Sequence, residues 1–416
     1  MKTPPLSNDC FAMPQGAHWT PVDDALAHLR RNLACVTGTK PVPLVKALGR
    51  IVAEPVIAPR SHPPTPNSAV DGYGFAGPAP EGVNQLALLD GRAAAGAPFA
   101  GTVAAGQAVR VLTGAALPDG VDTVVLQEDV AIEANTLRFH GPLKRGANAR
   151  DAGEDMTRGQ SLLAAGHTVT AGDIGMLAAV GIGRLHVHKR LRVGILSTGD
   201  ELAQAGAAAR PDQIYDANRP MLSSIVTRWG HKMIDLGCAP DDRSTLRGIL
   251  SAAAARCDVI VTSGGASAGD EDHMSALLKD SGSLALWRVA MKPGRPLAMG
   301  IWDATPVLGL PGNPVAAMVC ALIFARPALS LLAGGGWITP QAFAVPAAFA
   351  KSKKQGRREY IRARLRGGKV EAFASEGSGR VSGLAWADGL VELPDAAMTV
   401  NDGDMVTYYP YSSFGL

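Results

Sequence analysis

A run of glycines and carboxylates follows an apolar, strand-like segment near the middle of the chain. In DVIVTSGGASAGDEDH, residues 258–273, Ser263, Gly264 and Gly265 precede the acidic run 270–272. Glycines let a ligand approach the backbone amides, which bind anions. Mg²⁺ in proteins takes one or two carboxylates and completes its octahedron with phosphate oxygens and water. The pattern indicates a phosphate beside a divalent metal, although a solvated turn before a helix also carries such an acidic run.

Two further loops offer groups of the same kind. The segment LRVGILSTGDEL ends an apolar run on Asp200 and Glu201, and the segment GLPGNP places Pro311 and Asn313 before an apolar helix. Prolines constrain that backbone, and the first amides of the helix can face an anion. Two acidic loops and a glycine turn at one sheet edge favour a binding site over unrelated surface turns.

A basic turn in MKPGRPLAMG carries Lys292 and Arg295. The Pro-Gly turn between them directs both side chains the same way. Most basic turns are surface features, but beside a phosphate site this one suits an anion, with Arg295 able to bind two oxygens at once.

Residue chemistry alone does not decide whether two other polar segments are functional or structural. PNSAVDGYGF contains Asp71 and is typical of an Asp-Gly turn between strands. RDAGEDMTRG holds Arg150, Glu154 and Asp155 in one short stretch, which would equally form a local salt-bridge network.

The elements that position these loops alternate between strands and helices after residue 190, which predicts a parallel sheet covered on both faces. In such sheets the loops after the carboxyl ends of the strands meet at one edge, where ligands bind. The helix in ANRPMLSSIVTRWG places Leu222, Ile225, Val226 and Trp229 on one face. The helix after GLPGNP is predicted to end at Pro327.

The regions on either side of the predicted α/β sheet have a different pattern of apolar and turn residues. Short apolar runs separated by Gly, Pro and Asp turns predict small sheets between residues 40 and 185. Residues 340–416 are predicted to form a separate β domain, in which REYIRARLRG alternates an apolar face with an arginine face at residues 362, 364 and 366. Near the start, TPVDDALAHLRRNL predicts a helix capped by Thr20.

The composition narrows the class of protein. With 416 residues, 47% hydrophobic and 19% charged, the chain is typical of multidomain globular proteins. A net charge of +3 is too small to imply nucleic-acid binding. Five scattered cysteines without a CxxC pair argue against disulfides or zinc and favour a reducing cytoplasm. No signal pattern stands at the start of the sequence, and we expect no segment to span a bilayer, so we expect a soluble intracellular protein without a membrane partner.

Several function classes lack their motifs. The sequence has no Walker A pattern and no Cys/His pair with family context, which excludes the ordinary ATPase and cysteine-hydrolase interpretations. Residues 351–369 carry nine Lys and Arg with a single acid, but only Tyr360 is interleaved, so the stacking platforms of single-strand binders are missing. We expect a solvated basic face there and no nucleic-acid partner.

Eight segments in order carry a resemblance to a known family: NSAVDGYGF, VLTGAALPDGVDTVV, GEDM, VGILSTGDEL, QIYDANRPML, DVIVTSGGASAGDEDH, MKPGRPLAMG and GLPGNPVAA. Together they resemble the molybdopterin molybdenumtransferases, the bacterial MoeA family, and are similar to the E domains of gephyrin and of the plant protein Cnx1. The resemblance runs from residue 20 to about 410. It implies Mg²⁺-dependent insertion of molybdate into adenylyl-molybdopterin with release of AMP.

The resemblance also implies an elongated, multidomain α/β and β subunit that forms a homodimer, with the active cleft between the α/β domain of one subunit and the β-rich domain of its partner. The implied parts are a loose tail (1–19), a parallel α/β (MogA-like) molybdopterin-binding domain (20–38 with 186–335), an extended linking region (39–57 with 159–185), a β-rich domain (58–158) and a C-terminal small β-barrel domain (340–416).

The family's functional positions fall on identifiable residues of this chain. The catalytic candidates are Asp71, Thr113, Asp155, Glu201 and Asp272. The metal candidates are Glu201, Asp241 and Asp272. The substrate-binding candidates are Arg150, Asp241, Ser263, Gly264, Gly265, Lys292, Arg295, Pro311, Asn313, Arg358 and Ser382, with Lys292 and Arg295 associated with molybdate and Arg295 standing where the family has lysine.

Two alternatives to this activity stay open at the level of sequence. A molybdopterin adenylyltransferase shares the TSGG loop, but such domains are small and stand alone. A non-catalytic molybdopterin-binding scaffold would not need so many desolvated carboxylates. The upstream adenylyltransferase and molybdoenzyme chaperones are further expected partners.

Overall fold

The structure, a computed structural model, describes residues 19–264, 273–281, 285–294, 296–377 and 379–416. The chain divides into two compact units. One unit is Pro41–Val187, and the other combines the N-terminal segment up to Lys40 with His188–Leu416. The finer domain boundaries predicted from the sequence remain a prediction.

The first helix, α1 (Val22–Asn32), begins after Pro21, which occupies the cap position without a side-chain cap. The predicted cap at Thr20 is wrong. Thr20 is extended instead, and its backbone N–H donates to the carbonyl oxygen of Arg288 at 2.9 Å, so it belongs to a strand-like pairing before the helix.

The Pro41–Val187 unit is built mainly from one six-stranded sheet, which confirms the β-rich character predicted for this region. Its order is β7-β4-β6-β5-β9-β8, antiparallel except where β5 lies parallel to β6. The elements from residue 39 to 188 are β1 (Thr39–Pro43), β2 (Val56–Ile57), β3 (Asn67–Ser68), β4 (Gly72–Phe75), β5 (Ala79–Ala93), β6 (Gln107–Val111), β7 (Thr123–Leu126), β8 (Val130–Glu133), β9 (Thr136–Leu143), β10 (Ala149–Arg150), β11 (Ser161–Leu163), α2 (Ala171–Ala179) and β12 (Arg184–His188).

The second unit contains the predicted α/β sheet. Four adjacent strands are parallel in the order β16-β13-β17-β21, and β20 and β18 extend the sheet antiparallel. Its elements are β13 (Arg192–Thr198), β14 (Leu202–Ala203), β15 (Ile214–Tyr215), α3 (Asn218–Arg228), β16 (Lys232–Ala239), α4 (Arg243–Ala254), β17 (Val259–Ser263), α5 (His273–Asp280), β18 (Ala285–Arg288), β19 (Met291–Lys292), β20 (Pro296–Trp302), β21 (Thr305–Leu310), α6 (Pro314–Cys320) and α7 (Arg326–Leu332).

Helices cover both faces of this sheet, as the sequence predicts. Successive residues of a strand face opposite sides, and Ile195 and Leu196 of β13 are both fully buried. Leu196 packs in one core with Leu246 and Leu250 of α4. On α3 the predicted apolar face, residues 222, 225, 226 and 229, is buried. The α/β fold class is therefore confirmed.

The helix after β21 does not end at Pro327, so that prediction is wrong. A π-helical turn, Ala321–Ala325, joins α6 to α7, and Pro327 lies in the first turn of α7. A proline there lacks only an N–H that a helix start leaves unpaired. The whole segment Pro314–Leu332 is long and apolar enough to cross a membrane, with mean hydropathy 2.1, but 89% of it is buried inside the protein. It is a core helix.

The C-terminal region of this unit forms a second sheet, in the order β19-β24-β26-β28-β22 with β25 beside β24. Its elements are β22 (Phe343–Pro346), β23 (Lys351–Lys353), β24 (Arg358–Arg366), β25 (Lys369–Ala372), α8 (Ser382–Trp386), β26 (Gly389–Leu393), β27 (Met398–Val400) and β28 (Met405–Pro410). The predicted arginine face of β24 is only partly correct. Arg362 is 4% exposed because its guanidinium donates to the carbonyl oxygens of Arg380, Ser375 and Gly377.

A buried histidine in the second unit predicts a pH-dependent stability. His231 is 6% exposed, and burial, followed by the charges of Arg326 and Arg190, lowers its pKa from 6.5 to about 4. The unfolded chain therefore binds the proton more tightly. Stability is fully present above pH 6.5 and falls as the pH drops towards 4, by about 3 kcal/mol at 1.36 kcal/mol per pKa unit.

Thermal unfolding measured across this pH range checks the prediction. We expect His231→Leu to flatten the dependence, whereas His140→Leu, at an exposed position of β9, leaves it unchanged. An equal pH dependence in the wild type and the His231 variant would contradict it.

Candidate functional site

Four candidate segments meet at one edge of the α/β sheet. Because β16, β13, β17 and β21 are adjacent and parallel, their carboxyl ends lie side by side. Asp241 follows β16, Glu201 follows β13, Ser263 ends β17 and Pro311 follows β21. The first two loops touch directly, since the backbone N–H of Asp241 donates to Asp200 Oδ1 at 3.2 Å. The structure thus brings these four predicted residues to one edge.

Asn218 joins two of these loops and is a site residue that the sequence analysis missed. Its Nδ2 donates to Ser263 Oγ at 2.7 Å and to the carbonyl oxygen of Gly312 at 2.6 Å. Ser263 Oγ in turn lies 3.3 Å from the carbonyl oxygen of Pro311. The segment QIYDANRPML was the available signal, but a lone asparagine at a helix start gives no hint of partners so distant in the chain.

Gly264 stands where no side chain fits. Its φ is +92°, and a Cβ there would lie 2.6 Å from the carbonyl oxygen of Thr198, the last residue of β13. Its backbone N–H donates to the carbonyl oxygen of Leu310 at 3.2 Å, so the ends of β17 and β21 are joined. The tight turn therefore requires glycine at this position.

The helix after GLPGNP begins with an internal cap. Asn313 Oδ1 accepts from the backbone N–H groups of Val315 at 3.1 Å and Ala316 at 3.4 Å. These two amides are therefore already bonded, and the expectation that the first amides of α6 face an anion is not supported for them. Asn313 holds the loop and the helix together.

Two exposed carboxylates are suited to Mg²⁺ among the described residues. Glu201 and Asp241 lie at neighbouring strand ends. Thr198 Oγ1, buried at the same edge, has no hydrogen-bond partner in the described part of the chain. Two carboxylates fit a Mg²⁺ that takes its other ligands from phosphate and water, and the unsatisfied hydroxyl stands at the same sheet edge. The described ranges contain no cluster of three such ligands, and Asp272, Gly265 and Arg295 lie outside them.

Lys292 is held by carboxylates of the C-terminal sheet. Its Nζ lies 2.5 Å from Glu376 Oε2 and 3.9 Å from Glu359 Oε1. Lys292 pairs with Glu359 in the β19–β24 register, which explains why the lysine and this carboxylate lie close together. Neither glutamate was a candidate from the sequence.

Arg358 is paired with carboxylates other than those that hold Lys292. The guanidinium of Arg358 bonds Asp23 at 2.9 and 2.8 Å and Asp395 at 3.0 Å, which holds α1 to the C-terminal sheet. Successive residues of β24 face opposite sides, so Arg358 points away from the side of Glu359. Ser382 is exposed at the start of α8.

The other candidates lie in the Pro41–Val187 unit. Asp71 Oδ1 accepts from the backbone N–H and the hydroxyl of Thr113, both at 2.7 Å. Arg150 is exposed on β10, which pairs with β3 just before Asp71. Asp155 is exposed, and its backbone N–H donates to the carbonyl oxygen of His62 at 3.1 Å. Within this unit Asp71 and Thr113 form one contact, and Asp155 is held by a different loop.

The Asp71 carboxylate is kept ionised by its neighbour. The hydroxyl of Thr113, then its backbone amide, holds the pKa of Asp71 below its ordinary value. We expect Thr113→Val, which keeps the amide bond, to raise the pKa of Asp71 towards that value. Carboxyl NMR titration measures it, with Asp212, whose pKa is lowered by Arg210, as the resonance that must not move. An unchanged Asp71 titration would contradict this assignment.

Comparison with known proteins covers almost the whole chain. Residues 20–181 match the MoeA N-terminal region (domain I and II), residues 194–331 match a probable molybdopterin binding domain, and residues 344–411 match the MoeA C-terminal region (domain IV). The chain is 33% identical to the molybdopterin molybdenumtransferase of Haemophilus influenzae, over 94% of this chain and 98% of that protein. It is 34% identical to molybdopterin molybdenumtransferase 2 of Mycobacterium tuberculosis, over 87% and 92%.

A solved structure shows the same architecture. The molybdopterin biosynthesis MoeA protein of Pyrococcus horikoshii OT3 superposes with a TM-score of 0.82 at 26% identity, covering 95% of this chain and all of that one. The resemblance inferred from the eight sequence segments is thereby confirmed.

Proposed function

Because the chain belongs to the MoeA family of molybdopterin molybdenumtransferases, enzymes of molybdenum cofactor biosynthesis, we propose that it inserts molybdate into adenylyl-molybdopterin and releases AMP. The observation that carries this proposal is the meeting of Glu201, Asp241, Ser263 and Pro311 at the carboxyl edge of four adjacent parallel strands. Ligands of open α/β sheets bind at that edge.

Each described group has a distinct task in this proposal. The glycine turn that follows Ser263 holds a phosphate of the substrate, and Lys292 binds molybdate. Glu201 and Asp241 would hold Mg²⁺, together with Asp272. When bound, Mg²⁺ neutralises negative charge on the phosphate oxygens. The phosphoanhydride is cleaved by an oxygen of water or of molybdate, AMP leaves, and the dithiolene sulfurs that bind molybdenum belong to the substrate.

The candidates of the Pro41–Val187 unit enter the proposal through a second subunit. Two copies of the chain form a homodimer, and Asp71, Thr113, Arg150 and Asp155 of one copy complete the site of the other. An ionised Asp71, supported by Thr113, fits a role at a site that handles a cation and phosphates. As part of the same proposal, the enzyme works in the cytoplasm, receives its substrate from an adenylyltransferase and passes its product to molybdoenzyme chaperones.

Incubation of the purified protein with adenylyl-molybdopterin, Mg²⁺ and molybdate tests the activity. We expect AMP release that depends on molybdate. Consumption of ATP with unmodified molybdopterin would indicate an adenylyltransferase instead, and tight substrate binding without AMP release would indicate a scaffold.

A further inference from the structure

Two lysines of the second unit share the same pair of carboxylates. Glu376 contacts Lys292, with Oε2 2.5 Å from Nζ, and through Oε1 it also contacts Lys351. Glu359 lies 3.1 Å from Lys351 Nζ and 3.9 Å from Lys292 Nζ. Each carboxylate therefore bridges both ammonium groups, in a four-residue cluster at the C-terminal sheet.

The cluster is electrically balanced and largely withdrawn from water. The side chains of Lys351, Glu359 and Lys292 are 11%, 12% and 27% exposed. Burial alone would raise the pKa of Glu376, but the hydrogen bonds from Lys292 and Lys351 outweigh it and hold that pKa below its ordinary value. The two positive and two negative charges of these four side chains sum to zero.

Glu376 is the member of the cluster that can leave. Its side chain is 49% exposed, four times as much as that of Glu359. Glu359 lies within β24, whereas Glu376 follows β25 in a segment without regular structure. Arg362 fixes the backbone on both sides by donating to the carbonyl oxygens of Ser375 and Gly377. Rotation of the Glu376 side chain alone would release its carboxylate.

Glu376 occupies the place that an oxoanion would need at the cluster. Lys292, Glu359, Ser375 and Glu376 line one small cavity, and the Glu376 carboxylate contacts both ammonium groups. A tetrahedral oxoanion that contacts both lysines needs the position of this carboxylate. Once the Glu376 side chain rotates out, the two lysines face only the carboxylate of Glu359, and the net charge of the remaining cluster is positive.

We propose that Lys351 is a second cation of the oxoanion site and that Glu376 is a displaceable counter-ion, which keeps both lysines paired until a tetrahedral oxoanion replaces its carboxylate. This inference rests on the proposed function, because it is there that Lys292 binds molybdate. The ligand class is a tetrahedral dianion, since its several oxygens can contact both ammonium groups at once.

Binding of molybdate alone to the full-length protein, measured by titration calorimetry at neutral pH, tests the inference. We expect Glu376→Gln to bind molybdate about fivefold more tightly, the scale of one partly exposed charge pair. Lys351→Gln should bind it about tenfold more weakly or worse. The matched control is Glu371→Gln, which removes the same charge from an ion pair with Arg364 in the β24–β25 hairpin and should bind as the wild type does.

Lys292→Ala separates this inference from the proposed function. If Lys292→Ala loses molybdate binding while the Glu376 and Lys351 variants bind as the wild type does, the role given to Lys292 stands and the displaceable counter-ion is overturned. If Lys292→Ala binds as the wild type does, both are overturned. Binding detected only in Glu376→Gln supports the inference, and binding in neither that variant nor the wild type overturns it. Should Lys351→Gln fail to fold, the molybdate affinities of Glu376→Gln and of its control Glu371→Gln decide whether the inference stands.

Discussion

Glu201→Gln is expected to slow molybdate-dependent AMP release about 100-fold, the scale of losing one group that supports charge development at the reacting phosphates. The amide keeps the shape of the side chain but removes a negative ligand, so the Mg²⁺ concentration for half-maximal rate should also rise. Glu201 is exposed, and its carboxylate folds back against Gly199 in the loop after β13. Little stability should be lost, and steady-state rates across a Mg²⁺ titration measure both effects.

A charge-matched variant distinguishes a metal ligand from a general loss of negative charge. Glu133→Gln removes the same charge from an exposed ion pair with Arg138, 3.1 Å away, and should leave the rate and the Mg²⁺ dependence unchanged. A Glu201 variant with a normal Mg²⁺ dependence would remove this residue from the metal site, however slow its turnover.

The α/β sheet and its ligand-binding edge were predictable because their signals are local. Strand burial follows from apolar runs such as the one ending at Ser263, and the buried face of α3 follows from the spacing of Leu222, Ile225 and Val226. Parallel strands then bring their following loops to one edge without any knowledge of side-chain contacts. Glu201 and Asp241 could be placed there by this reasoning.

The contacts that complete the site were not predictable, because each depends on groups distant in the chain. Lys292 and Glu376 are 84 residues apart, and no spacing rule links them. Arg362 alternates with apolar neighbours and so resembles a surface arginine, yet three backbone carbonyl oxygens satisfy it in the interior. Pro327 would end most helices, but the π-helical turn before it changes which amides must be paired. Sequence periodicity carries no information about such partners.

The backbone of the Ser263–Gly264 turn is tightly constrained. The positive φ of Gly264 disfavours any Cβ, and the carbonyl oxygen of Thr198 occupies the space that a Cβ would need. That oxygen belongs to the end of β13, which is paired with β17 and cannot move without disturbing the sheet. Any residue other than glycine must therefore shift two strand ends that carry Glu201 and Ser263.

Gly264→Ala is accordingly expected to lower the free energy of unfolding by about 3 kcal/mol or more. It should also lower the rate of AMP release at least about 100-fold, since displacements near 1 Å cost that much in rate. Gly403→Ala is the matched control, because Gly403 has a φ of +91° and no described atom within 4 Å of the added Cβ. The free energy of unfolding of Gly403→Ala should fall only by the cost of placing alanine in a left-handed conformation, about 1–2 kcal/mol, and this variant should keep its activity. Calorimetric unfolding and AMP release measured on both variants separate the two costs. Equal losses of stability would mean that the contact with Thr198 is relieved without moving the strand ends, and normal activity in Gly264→Ala would show that this turn does not position the substrate.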